Sequence, residues 1–165
     1  MSTQEINPYL RTKVLTASPE ELRLMLLEGA IRFARQGRDG MARKDHEATY
    51  QGLSQAKAII MELINALRPE VNPELCQRMT ALYVFMYKRL LEANLEKSVE
   101  MIDEVIELLE YERETWVMLM DKLRQEREAE AVGLPPAAQE QEGHAAASRR
   151  LGDAEPPTQG LSFVA

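Results

Sequence analysis

The sequence predicts an all-α protein: an antiparallel, up-down four-helix bundle with an N-terminal apolar arm and a disordered C-terminal tail. Three observations carry this expectation. Apolar residues recur at helical spacing in four long segments separated by short breaks. Aromatic residues are only 5% of the 165, whereas Leu, Met, Ala and Glu, which keep most of their side-chain freedom in a helix, are plentiful. No alternating run of β-branched residues interrupts the pattern. The expected organisation is an arm over residues 1–17, a bundle over 18–127 and a tail over 128–165.

The arm carries Ile6, Tyr9, Leu10, Val14 and Leu15, and Pro8 is expected to prevent a continuous helix there. Such an arm can cover a groove on its own bundle and yield to a partner, or it can staple permanently to the core. The first long helix begins at Ser18-Pro19-Glu20-Glu21. Ser18 can accept from the Glu21 amide, Glu21 can reach back to the Ser18 amide, and Pro19 sits where a missing N–H costs nothing. Its core stripe is expected to be Leu22, Met25, Leu26, Gly29, Ala30 and Phe33, with Gly37 and Gly40 weakening the helix end.

The second helix starts after Asp45, with Leu53, Ala56, Ile60, Leu63 and Leu67 facing inward, and stops before Pro69. Asn72-Pro73 opens the third, whose stripe reads Leu75, Met79, Leu82, Met86, Leu90 and Ala93. After a break at Lys97-Ser98 the fourth carries Ile102, Val105, Leu109, Trp116, Leu119 and Leu123. Helices of roughly twenty residues are about 30 Å long, and short connections make neighbours antiparallel. From Glu128 onward large apolar residues nearly vanish until Leu161, Phe163 and Val164, so the segment cannot bury enough surface to offset its chain entropy.

Composition excludes several function classes. A formal net charge of -7 repels phosphate backbones, so nucleic acid is not an expected partner. A single cysteine, Cys76, permits no internal disulfide and fits a reducing, cytoplasmic setting. The N-terminus lacks the basic-then-apolar pattern of a secretory signal, and no apolar run is long enough for stable membrane insertion. The only histidines are His46 and His144; Arg43, not Glu, stands three residues before His46, so no Glu-x-x-His pair can build a di-iron bundle there. No Cys-x-x-Cys, glycine-rich phosphate loop or nucleophile elbow is present. The expectation is therefore a binding protein with no catalytic residue, no cofactor and no metal.

What the sequence has in surplus is apolar surface. Beside the expected core stripes lie Leu24, Leu27 and Ile31 on the first helix, Ile59 and Ile64 on the second, and Tyr83, Phe85, Tyr87 and Leu91 on the third. Together they exceed the patch a monomer leaves exposed. Either a tight bundle buries more than one stripe per helix, or these residues meet the arm, a second copy or a partner helix. Nine methionines suit an adaptable surface.

Three blocks in this order resemble the flagellar secretion chaperone FliS family. The first is Asn7-Pro-Tyr9-Leu, then Val14-Leu-Thr-Ala-Ser18-Pro-Glu-Glu-Leu22 and Met25-Leu-Leu-Glu-Gly29-Ala30-Ile31-Arg32-Phe33. The second is Leu82-Tyr83 with Met86 and Arg89-Leu90-Leu91-Glu92-Ala93-Asn94, and the third is Glu114-Thr115-Trp116. The resemblance spans residues 6 to about 123. Val84 stands where the family often has an acidic residue, and Asn72-Pro73 replaces a common Gly-Gly pair.

The resemblance implies a cytoplasmic export chaperone. Such a protein binds the C-terminal part of unpolymerised flagellin, prevents premature polymerisation and delivers its client to the flagellar type III export gate. Expected groove residues are Leu24, Leu27, Ile31, Ile59, Tyr83, Tyr87, Leu90 and Asn94. The Asn94 amide would bond the client backbone or cap its own helix. The family's Ile-x-x-Tyr pair, implicated in export-gate docking, maps onto Ile6 and Tyr9, with Leu10 beside them. A charge placed at Leu27 or Tyr87 is expected to abolish client binding while sparing helicity. The alternative is a helical-bundle interaction protein that homodimerises, or binds another amphipathic helix, through the same patch.

Overall fold

The structure is a computed structural model and describes residues 7–133. Five helices follow in order: α1 (Pro8–Thr16), α2 (Pro19–Ala42), α3 (His46–Asn65), α4 (Pro73–Glu96) and α5 (Val99–Ala131), with no strand among the described residues.

Local chemistry sets the helix starts. Ser18 Oγ accepts from Glu21 N at 3.2 Å, and Ser18 N donates to Glu21 Oε2 at 2.8 Å, closing the expected capping box of α2. Asp45 accepts from Ala48 N at 3.0 Å at the head of α3, and Asn72 accepts from Leu75 N at 3.0 Å at the head of α4. Helix α4 ends on Lys97, whose left-handed φ of 56° lets its N–H reach the Ala93 carbonyl. Pro8 does not break the arm but opens α1: Asn7 caps it by accepting from Tyr9 N at 3.0 Å, and a proline in the first turn forfeits no hydrogen bond.

Helices α2, α3, α4 and α5 all contribute to one buried cluster, with Leu27, Ala30, Leu53, Ile60, Leu63, Tyr83, Met86, Leu90, Ile102 and Leu109 fully or almost fully enclosed. Each such large side chain stabilises the fold by about 2 kcal/mol through removal from water. Gly29 faces Ile59, Gly37 faces Leu53 and Gly40 faces Thr49, so α2 and α3 run antiparallel in close contact. Ion pairs Arg23–Glu112 and Arg38–Asp103 set α5 antiparallel to α2. Arg89–Glu104 together with Tyr83–Glu112 sets α5 antiparallel to α4.

The glycines correct one expectation. Gly37 and Gly40 do not weaken the end of α2, which continues to Ala42; they are buried where α3 crosses. A Cβ on Gly52 would stand 2.6 Å from Gly37 Cα and 2.7 Å from the Phe33 carbonyl oxygen. The two backbones touch there, which only glycine allows.

A second correction concerns which face turns inward. The buried stripe of α2 is Leu27, Ala30, Ile31, Ala34 and Gly37, while Leu26 and Phe33 are only half-buried. The small Ala30, Ala34 and Gly37 permit the close approach of α3, so the helix turns that stripe inward. On α4 Tyr83 joins Met86, Leu90 and Ala93 inside, and Leu75 is exposed.

The described residues fall into two units, divided after Arg124. Helix α5 includes residues 128–131, which composition had assigned to the tail; the run Glu-Ala-Glu-Ala has strong helix propensity. The rest of the expected tail, with His144, Leu161, Phe163 and Val164, lies outside the described residues, as does Ile6. No described helix is long and apolar enough to cross a membrane.

Candidate functional site

The α3/α4 edge is an apolar surface that the core leaves open. Lys57 on α3 lies 5.9 Å from the centre of the Tyr87 ring on α4. Val84, Leu91 and Asn94, spaced −3, +4 and +7 from Tyr87, share its helix face; Tyr50, Met61 and Ile64 stand in the same relation to Lys57 at −7, +4 and +7. Val84 is 37% exposed, Leu91 39% and Met61 42%, while Tyr87 and Ile64 are half-buried against the core. Two turns along from the Lys57–Tyr87 contact, Tyr50 and Asn94 reach a cavity of about 510 Å³.

A buried polar cluster lies elsewhere, among α2, α4 and α5. The Arg23 guanidinium donates to Glu112 Oε1 at 3.1 Å and to the Tyr83 hydroxyl, and Tyr83 donates to the same carboxylate oxygen. Arg23 also packs over the Trp116 ring at 5.1 Å, and Trp116 Nε1 donates to the Glu20 carbonyl at 3.0 Å. Glu112 Oε2 is buried without a hydrogen-bond partner among the described residues. Burial first, then the charge and hydrogen bond of Glu112, push the Tyr83 phenol far above the usual tyrosine range, against the opposing effect of Arg23. Tyr83 therefore stays protonated at neutral pH and does not act as a base. The cluster ties α2, α4 and α5 together through Arg23, Tyr83 and Glu112.

The eight expected groove residues do not share one exposed surface. Leu27, Ile31, Tyr83 and Leu90 are buried in the core and present no surface in this structure. Ile59 belongs to the α2/α3 contact, where its Cδ1 lies 3.2 Å from a Cβ placed on Gly29. Leu24 is partly exposed on α2, and only Tyr87 and Asn94 lie on the α3/α4 edge. Asn94 is not the cap of α4, because Lys97 takes that position; its Oδ1 accepts from Lys97 Nζ at 3.4 Å. A charge at Leu27 would thus strike the core, contrary to the expectation from sequence. Sequence reasoning passed over Val84, Met61 and Lys57; their spacing around Tyr87 and Ile64 was the available signal.

Helix α1 buries none of its residues, and Tyr9 is 73% exposed, with Leu10 also exposed. Among the described residues no group of three or more His, Cys, Asp or Glu side chains is placed to hold a metal ion.

The motif residues Glu20, Tyr83 and Trp116, distant in sequence, meet around Arg23 in one cluster. The family described as "Flagellar protein FliS" matches residues 2–123. The flagellar secretion chaperone FliS of Bacillus subtilis is 35% identical over 124 residues, covering 73% of this chain and 92% of that protein. The proteins of the same name from Salmonella typhimurium and Escherichia coli are 33% and 34% identical, covering 68% and 65% of this chain and 84% and 79% of theirs. The chain belongs to the FliS family of flagellar secretion chaperones.

Proposed function

We propose that this chain is a cytoplasmic export chaperone that binds the C-terminal segment of unpolymerised flagellin. It thereby prevents premature polymerisation and hands the client to the flagellar type III export gate. The observation that carries the reading is the apolar α3/α4 edge, open on a helical scaffold whose core is already complete without it. The scaffold is an up-down four-helix bundle of α2 to α5. A client segment that is unstructured when free lays an amphipathic helix along Val84, Tyr87 and Leu91, facing Met61 and Ile64. The client pays its ordering entropy on binding, so the net affinity is less than the covered area suggests. Export-gate docking is assigned to the exposed arm around Tyr9 and Leu10, together with Ile6.

The test is a calorimetric titration of the full chain with the C-terminal segment of flagellin from the same organism. A 1:1 complex with a strongly negative heat-capacity change is expected, because apolar surface is buried. Absence of binding by the folded protein would overturn the client assignment and leave a helical interaction protein, with a second copy of the chain as the occupant to test by its oligomeric state.

A further inference from the structure

The α3/α4 edge ends in the cavity that Tyr50 and Asn94 reach, and the lining of that cavity is unlike the rest of the surface. Lys44, His46 and Lys97 line it together with Met41, Thr49, Tyr50 and Asn94, and no acidic side chain does so. In a chain with 27 acidic and 20 basic side chains, a concave site lined by two lysines and no carboxylate is a local reversal of charge. Neither Lys44 nor Lys97 has a carboxylate ion-pair partner among the described residues. Lys97 reaches only the Asn94 side-chain oxygen, at 3.4 Å, which leaves the Asn94 NH2 group free to donate. Both lysines sit at turns with left-handed backbone, φ 59° at Lys44 and 56° at Lys97, so each follows the end of its helix and stands beside the cavity.

We infer that this cavity holds the C-terminal carboxylate of the client helix that lies along the α3/α4 edge. The inference rests on the client reading above and fixes the direction of the client. A helix ends in carbonyls without intrahelical partners and in the negative end of its dipole. A chain terminus adds a full negative charge. The cavity supplies what those groups need: two ammonium groups, an amide donor, and Met41 with the Tyr50 ring to receive a terminal apolar side chain. The apolar edge continues into it, so a helix lying over Tyr87 and Leu91 with its C-terminus at Asn94 runs parallel to α4. The reverse orientation would bring the positive N-terminus of the helix to Lys44 and Lys97.

The test compares the flagellin C-terminal peptide as its free acid and as its C-terminal amide, titrated into the full chain and into the Lys44→Gln/Lys97→Gln double variant. Both lysines are exposed, and far-UV circular dichroism checks that the variant keeps its helicity. The free acid is expected to bind the unaltered protein about five- to tenfold more tightly than the amide, the size of one or two solvent-exposed ion pairs. That preference is expected to vanish in the double variant and to shrink with added salt. Equal binding of acid and amide would overturn the carboxylate site while leaving the chaperone reading intact. Persistence of the preference in the double variant would overturn it too, because the carboxylate would then meet a different group. Failure of both peptides to bind the folded, unaltered protein would remove the chaperone reading and the assignment of this cavity together.

Discussion

Gly52→Ala tests the closest contact in the fold. The added methyl carbon would sit 2.6 Å from Gly37 Cα and 2.7 Å from the Phe33 carbonyl oxygen. Carbon contacts are comfortable only from about 3.5 Å, so α2 and α3 must separate by roughly 1 Å. The atoms in the way are main chain and cannot rotate aside. Overpacking of this kind costs about 1–3 kcal/mol, and the adjoining Gly37–Leu53 and Gly40–Thr49 contacts loosen with it. Alanine's better helix propensity offsets about 1 kcal/mol. A net loss of about 1 kcal/mol is expected, seen as a lower urea midpoint with an unchanged slope and a Tm lower by roughly 3–6 °C. Gly29→Ala is the control. There the nearest atom, at 3.2 Å, is the tip of the Ile59 side chain, which can turn away. That variant should match the unaltered protein or gain up to about 1 kcal/mol. Equal stability of Gly52→Ala and the unaltered chain, or greater damage from Gly29→Ala, would refute the backbone contact.

Leu27→Asp should unfold the chain, because the site is fully enclosed, whereas Leu91→Asp should keep far-UV ellipticity and lower client affinity at least tenfold; calorimetry beside circular dichroism separates the two. Trp116→Phe removes the hydrogen bond to the Glu20 carbonyl and weakens the stacking on Arg23, which should lower unfolding free energy in urea by about 1–2 kcal/mol. For Tyr83 the folded pKa is raised, so its contribution to stability is complete below the unfolded value of about 10 and is lost as pH rises through it. Absorbance titration should show a tyrosine that ionises only together with unfolding, and Tyr83→Phe should remove that component; a fully reversible tyrosine titration in the folded chain would contradict the buried cluster.

The sequence legibly carried the caps of the long helices. Ser18, Asp45 and Asn72 each announce a helix start because a side-chain oxygen satisfies an amide two or three residues away, within the same short stretch of chain. The inward residues of α3, Leu53, Ala56, Ile60 and Leu63, were also legible, since that helix has one dominant apolar stripe. On α2 two adjacent stripes compete, and the sequence alone put Leu22, Met25 and Phe33 inside. The packing of α3 decided for Leu27, Ile31 and Ala34 beside Ala30, which both stripes share, because small residues allow the two axes to come close and the larger Phe33 is left at the margin.

The candidate site shows the same division more sharply. The motif residues Tyr83 and Leu90 stood out in the sequence, and they prove to be core, Tyr83 because it meets Arg23 and Glu112 from helices that lie 60 and 29 residues away. Tyr87 and Asn94 were legible as surface candidates, but Lys57 and Met61 became their neighbours only when α3 and α4 were laid side by side. The clustering of Lys44, His46 and Lys97 was likewise beyond the sequence. Its bases come from two separate turns, and only the antiparallel course of the helices brings those turns to one end. The sequence by itself determined the long helices α2 to α5 and their starts, but not α1, which Pro8 opens. Tertiary structure decided which faces are buried and which charges share a cavity, because those depend on contacts between residues that chain neighbourhood does not link.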